Sequence, residues 1–401
     1  LTSDPAQPRA RALAVSGTRI VFVGAESAAK PWIGPATRII ELRGHTLLPG
    51  LIDSHIHTAL GEFLLHRLCD VRSFDTAQGY ARLGECARNA PRGDWVVGYG
   101  WYFTDNLRIG AVSLAALDRL VPDRRLVVIS KDLHSFWVNS KTLRAYGIGR
   151  DTPDPAGGRI DRDARGAPNG VLRDAAHAAI LEDVLLRSTY SASNADLYGT
   201  AAPYLNSLGI TSLLDALADD SVEAGYHALD AGGGLNMNVS LAFGVQPEDY
   251  RTLIPYRRAT GLLPVGPVMA GRMFPFGDLL RAGAALSAGS DWFFTEVNPW
   301  RDLQAAATSQ DPGEPQQRPM LPAQRLPLPV LLEARTLGAA RQLRIEKLSG
   351  SLTVGKQADF IVVDRAVLDA PIAALHRTRV LATYFEGREV YSAAALSRSG
   401  R

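Results

Sequence analysis

The chain has 401 residues, with 43 Lys and Arg against 41 Asp and Glu, a net charge of +2, 46% hydrophobic and 21% charged residues. That balance excludes a disordered chain, and with no interleaved basic and aromatic run it argues against a nucleic-acid partner. The length exceeds what a single core usually serves, so one large domain with at least one smaller companion is expected.

The elements are taken in chain order. Within residues 12–48 four short runs, ALAVSG, RIVFVG, RIIELRG and TLLPG, are divided by glycines and are expected as strands of a small sheet. The last of them leads into PGLIDSHIHTAL, an apolar run that ends in Asp53, Ser54, His55, Ile56 and His57. Side chains alternate faces along a strand, so His55 and His57 point the same way and can grip one cation. Two hydrogen-bonded histidines in a turn are the plainer reading of a bare His-x-His pair; the buried strand before it shifts the balance toward a metal.

Residues 61–166 are long for one connection and rich in Trp, Tyr, Gly and Arg, and are expected as an insertion roofing the active-site end of a barrel. They hold the two cysteines, Cys69 and Cys86, too few for a disulfide framework and without zinc-clip spacing, so a reducing, cytoplasmic setting is expected. No apolar run approaches the roughly 20 residues that span a bilayer, and no membrane partner is expected. There is no basic-then-apolar signal pattern. The chain opens at Leu1 without an initiator methionine, so a removed targeting segment upstream stays open.

Further on, the strand-length runs RLVVIS, LGITSLLDA and AGAALSAGSDW alternate with Ala- and Leu-rich helical stretches, as parallel βα units do. The expected fold is α/β, a (β/α)₈ TIM-like barrel over residues 49–349. Barrel enzymes keep their sites where strands end at the C-terminal face, and His55 and His57 sit at such an end. So does Asp291, in the run that closes on Ser290, Asp291 and Trp292. A carboxylate there can bind the ion and take a proton from its water; a helix N-cap is the alternative use of the same residue. The Pro- and Gln-rich residues 309–329 cannot be regular helix or central strand, and helix is expected to resume near Val330. At the far end SGSLTVGKQADFIVVD and RVLATYFEGREVY repeat the texture of the start. Residues 1–48 and 350–401 are therefore expected to meet in one small β-sandwich domain.

Taken together, PGLIDSHIH, AGSDW and GSLTVGKQADFIVVD resemble the amidohydrolase superfamily. DLHSFWVNSKTL, GGRIDRDARGAPNGVL and LGITSLLDA resemble more narrowly its amidohydrolase 3 branch, the YtcJ-like and N-substituted formamide deformylase-like proteins. The resemblance implies that His55, His57 and Asp291 are metal ligands, with Asp291 also the general base. It implies a place for His134 at the catalytic rim, polarising a substrate carbonyl or steadying an oxyanion. Trp101, Tyr102, Trp137, Asn139 and Trp292 are the expected walls of the substrate pocket, although buried aromatics are more often core. His45, His66, His177, His227 and His376 are left unassigned.

The family pattern breaks in the middle. Members of the branch carry a lysine that can be carbamylated to bridge two metals, then a histidine in a HAIGD-like strand end and another in an RIEH-like one. From Gly209 to Met273 this chain has no lysine, and its only histidine is His227, in a helical context. Either the segment has been lost or residues are missing at a junction near 260–267. A parallel barrel without two of its strands would expose unpaired edges, which favours the second.

The reaction expected is hydrolysis of a non-peptide C–N bond in a small amide, N-acyl or N-formyl compound by metal-activated water. Zinc is the first choice, with manganese, iron and nickel open. The alternatives are a non-catalytic, degenerate member used for binding or assembly, and a deaminase or C–O hydrolase on the same scaffold. The expected partners are a small-molecule substrate and a second copy of the chain in a homodimer.

Overall fold

A computed structural model describes residues 1–71, 76–90, 93–101, 113–188, 192–243, 275–293 and 295–393. These form mixed α/β structure in two units, one of Leu1–Thr58 with Tyr198–Arg401 and one of Ala59–Leu197. The junction expected near 260–267 lies outside the described residues, as does Tyr102. Among the described residues no helix is long and apolar enough to cross a membrane.

In the first unit, β1 (Ala12–Ser16) and β2 (Arg19–Gly24) make an antiparallel hairpin. No strand forms over the expected RIIELRG run, where Ile39 and Ile40 are exposed without a partner strand to cover them. Then come β3 (Thr46–Pro49) and β4 (Leu51–Ile56), parted only by Gly50.

The second unit is a single six-stranded sheet. Its strands are β5 (Cys69–Asp70), β6 (Trp95–Trp101), β7 (Arg125–Ser130), β8 (Ser135–Val138), β9 (Gly158–Arg162) and β10 (Pro168–Asp174), in the order β5-β6-β7-β8-β10-β9. The first three run parallel and the rest antiparallel. RLVVIS forms β7, parallel to β6 and preceded by a helix as a βα unit requires, but β7 then turns through Lys131–His134 straight back into antiparallel β8, where a continued βα series would have sent out a helix. Cys69 and Cys86 are joined in a disulfide with Cα atoms 6.0 Å apart. The argument from unpaired cysteines to a reducing compartment therefore falls.

Back in the first unit, β11 (Ile210–Ala218) lies between β4 and β12 (Asn238–Phe243) in a three-stranded parallel sheet. The last strands, β13 (Phe360–Val363), β14 (Val380–Phe385) and β15 (Arg388–Ser392), join β3 in an antiparallel sheet ordered β15-β14-β13-β3. In β13 the alternation is used on both faces. Phe360 and Val362 pack with Ile20, Leu352 and Leu381, next to apolar residues of the hairpin. Ile361 and Val363 pack on the other face with Trp300, Leu303, Leu328 and Leu331, from the helices Pro299–Thr308 and Leu328–Ala334. Between those helices the Pro-rich stretch holds only a short 3₁₀ turn, Pro322–Gln324. The described residues do not close a barrel; what they show is β12, β11 and β4 in parallel, with a further segment bonded along the free side of β4.

Candidate functional site

That further segment is the expected strand that ends in Asp291. It is irregular, yet it is tied to β4 by backbone bonds: Ser54 N–H donates to Ala288 O at 3.2 Å, Asp291 N–H to His55 O at 2.8 Å, and His57 N–H to Trp292 O at 3.0 Å. Gly289 makes the approach possible. A Cβ there would stand 2.5 Å from His55 N and 2.6 Å from His55 Cβ, and backbone cannot yield as a flexible side chain does. Gly289→Ala is expected to cost about 1–3 kcal/mol of stability, as overpacking does, and to weaken metal binding by prising the two segments apart. Urea unfolding and a zinc titration check this; parental values for both would show that the approach is not needed.

The approach brings His55, His57 and Asp291 together, each offering a ligand atom within 4.8 Å of the others. Both His55 Nε2, at 3.3 Å, and His57 Nε2, at 3.2 Å, face the same oxygen, Asp291 Oδ1. The two imidazoles stand edge to face with ring centroids 5.3 Å apart, and Phe293 lies 5.9 Å from the His57 ring. Asp291 reaches this position with φ of +52°, a left-handed conformation that Asp tolerates better than most residues. The donor set fits a divalent ion. A tetrahedral zinc with bonds of about 2.0–2.1 Å holds its donors roughly 3.3 Å apart, which is the spacing between Asp291 Oδ1 and each imidazole nitrogen. His55 and Asp291 are about half exposed and His57 much less, so the cluster has one open side, as a hydrolytic site requires.

Beneath the cluster lies a group of charges that the sequence reading left without a role. Asp53 is fully buried, and its Oδ1 accepts from Ser290 N–H at 2.9 Å and from His55 N–H at 3.3 Å. Its Oδ2 accepts from Arg335 Nη1 at 3.1 Å, while Arg335 Nη2 donates to Asp302 Oδ2 at 2.5 Å. Beside them Asp215, in register with Ile56 of β4, is buried and accepts from the Tyr226 hydroxyl at 2.9 Å. Burial raises its carboxyl above the usual range, against the Tyr226 hydrogen bond and the charge of His57.

Burial also pushes the Asp302 carboxyl up to about 7, against the pull of Arg335 and helped by the charges of Asp53 and Glu296. The folded chain thus keeps a proton on Asp302 that the unfolded chain releases near the ordinary value of 3.8. Its contribution to stability is full below that value and is lost as pH rises through about 7. Compared with Asp302→Asn, which carries no such proton, the parent should lose stability between pH 4 and pH 7. Chemical denaturation across that range tests it, and a pH-independent difference between the two proteins would refute it.

Of the other predicted site residues within the described chain, Trp292 belongs to the first unit and the rest to the second. His134 is in the β7–β8 turn of the second unit, largely exposed, with Nδ1 2.8 Å from Asp174 Oδ1. Asn139 is no pocket wall: it caps the helix Ser140–Ala145 from a buried position, its oxygen accepting from Thr142 N–H and Leu126 N–H and its amide donating to Val121 O and Arg124 O. Trp101 and Trp137 are buried in the core of the six-stranded sheet, with Trp101 Nε1 bonded to Val128 O. Trp292 is 1% exposed and packs 5.9 Å from Tyr204. These three indoles fill cores, which is the commoner use of a large aromatic. His227 sits on the exposed face of the helix Asp220–Ala231, 3.7 Å from Glu223.

The chain has relatives among known proteins. The sequence profile of the Amidohydrolase family matches residues 38–262 and 256–391. The N-substituted formamide deformylase of Arthrobacter pascens is 30% identical over 249 residues, 61% of this chain and 46% of that protein. The putative amidohydrolase YtcJ of Bacillus subtilis is 40% identical over 152 residues, 37% of this chain and 28% of that protein. The chain therefore spans less than half the length of either relative. Among solved structures, an uncharacterized metal-dependent hydrolase from Pyrococcus horikoshii superposes with a TM-score of 0.68 at 16% identity, covering 90% of this chain and 94% of that one. At that identity the likeness speaks for the fold alone.

Proposed function

Because the chain belongs to the amidohydrolase family, we propose that it is a metal-dependent hydrolase of a non-peptide C–N bond in a small amide, N-acyl or N-formyl compound, built on a (β/α)₈ barrel. The observation that carries this reading is the meeting of two imidazole nitrogens and one carboxylate oxygen at 3.2–3.3 Å. His55, His57 and Asp291 would hold the ion, with zinc the first choice for such donors. The ion, when bound, lowers the pKa of water to near 7 and polarises a carbonyl. Asp291, half exposed on the open side, takes the proton of the attacking water and returns it to the departing nitrogen. For His134 only the resemblance supports a part in catalysis, as a donor to the developing oxyanion.

The relative from Arthrobacter makes N-substituted formamides the first substrates to try. Chelated protein, reloaded with zinc or with manganese, is assayed on formamides, N-acyl amines, esters and amino-heterocycles. We expect about one zinc per chain and turnover of the formamides, with both lost in His55→Ala and in His57→Ala. Turnover confined to esters or amino-heterocycles would move the chain to another reaction of the same scaffold. One observation favours a second reading, a binding protein without catalysis: no lysine and only His227 lie between Gly209 and Met273, where the branch has three further metal-site residues. A folded chain that binds no zinc and turns over none of the panel would establish it.

A further inference from the structure

We propose that Asp53 is the positioning residue of the metal centre, holding its two ligand-bearing segments in register with one carboxylate oxygen. The inference rests on the metal site proposed above. His55 and Asp291 come from stretches far apart in sequence, and an ion binds more tightly when their separation is set before it arrives. Asp53 Oδ1 spans that gap. It accepts the N–H of His55 itself at 3.3 Å and that of Ser290, the residue before Asp291, at 2.9 Å. An oxygen that accepts two backbone donors fixes the distance between the strands that carry them.

Arg335 fixes the oxygen in turn. Its Nη1 takes the other carboxylate oxygen of Asp53 at 3.1 Å, and the side chains are 1% and 0% exposed, so neither can turn toward water. The backbone of Arg335 adds a second tie, accepting the Ile52 N–H at 2.8 Å. The clamp therefore has an orientation: one face of the carboxylate is for the arginine and the other for the ligand segments.

That orientation provides the test. In Asp53→Asn the guanidinium demands the amide oxygen, which aims the amide N–H₂ at two N–H donors and opens the clamp. In Asp53→Asn/Arg335→Met the demand is gone, the amide oxygen can turn to His55 and Ser290, and the one acid left without the arginine, Asp302, is 31% exposed and can turn to water. Metal-free parent, single and double variants are titrated with zinc against a chromophoric chelator. Amide exchange of the peptides covering 53–57 and 288–292 is followed by mass spectrometry without zinc. We expect Asp53→Asn to weaken zinc by about 10- to 100-fold and to speed exchange in both peptides, and the second substitution to return both to the parental range.

Because removing the stranded arginine can also restore stability, urea unfolding is measured alongside, and zinc affinity together with exchange confined to the 53–57 and 288–292 peptides separates positioning from mere stability. Parental zinc affinity and exchange in a folded Asp53→Asn would overturn the proposal. So would a folded double variant that binds zinc as weakly as the single one. Should the single variant not fold, the double variant decides alone: parental affinity supports the clamp, and weak binding refutes it. A parent chain that takes up no zinc would sink the proposed function instead, and the exchange data would still judge the clamp.

Discussion

Asp291→Asn is expected to lower kcat by about 10²–10⁴-fold, the contribution of a positioned general base, while leaving part of the zinc in place. Asparagine keeps an oxygen between the two imidazoles but cannot accept and return a proton. The substitution should therefore separate the two duties proposed for the wild-type carboxylate, unlike His55→Ala or His57→Ala, which remove a proposed ligand. Metal analysis of the purified variant alongside steady-state kinetics on a formamide makes the separation visible. Full activity would remove Asp291 from proton transfer, and complete loss of zinc would leave its catalytic duty unproven by this variant.

Arg335→Met is expected to cost about 3–5 kcal/mol of stability, the penalty for breaking a buried ion pair by taking away one partner. Arg335 stands between two carboxylates, and one of them, Asp53, has no water to turn to. Methionine can fill the volume but gives nothing to either acid. Urea unfolding of the variant at neutral pH measures the loss. A change below about 1 kcal/mol, the scale of an exposed pair, would mean that Asp53 is satisfied by its two backbone donors without the arginine.

Much of the metal centre could be read from the sequence because its chemistry is local. His55 and His57 are two residues apart on a strand, and the period of a strand decides where they point. Asp291 was legible for the same reason, as a polar residue ending a run of small and apolar ones. The same alternation groups Asp53 with the two histidines, and that parity is the signal by which it could have been found. Arg335 offered no such signal, because it lies 282 residues from Asp53 and nothing in RTLGAA distinguishes a buried arginine from a solvated one. Trp101, Trp137 and Asn139 are buried, and composition cannot tell a pocket wall from a core. RLVVIS was legible as a strand of a parallel pair, but not the antiparallel return after it, because a buried parallel strand and a strand in a mixed sheet share one pattern. Two cysteines 17 residues apart carry no mark of pairing until the fold brings a helix beside a strand.

The sheet that joins β3 to β13 has a consequence for how the molecule is made. Thr46 Oγ1 donates to Arg365 O across 319 residues, and each residue of β3 has its register partner in β13. On a ribosome, the stretch just ahead of the histidine pair must wait unpaired until β13 has been synthesised, and closing so long a loop slows the approach to the native state. The histidine pair is thus seated only once β13 has emerged, so a nascent chain arrested before Phe360 should bind zinc poorly even though it already contains His55, His57 and Asp291.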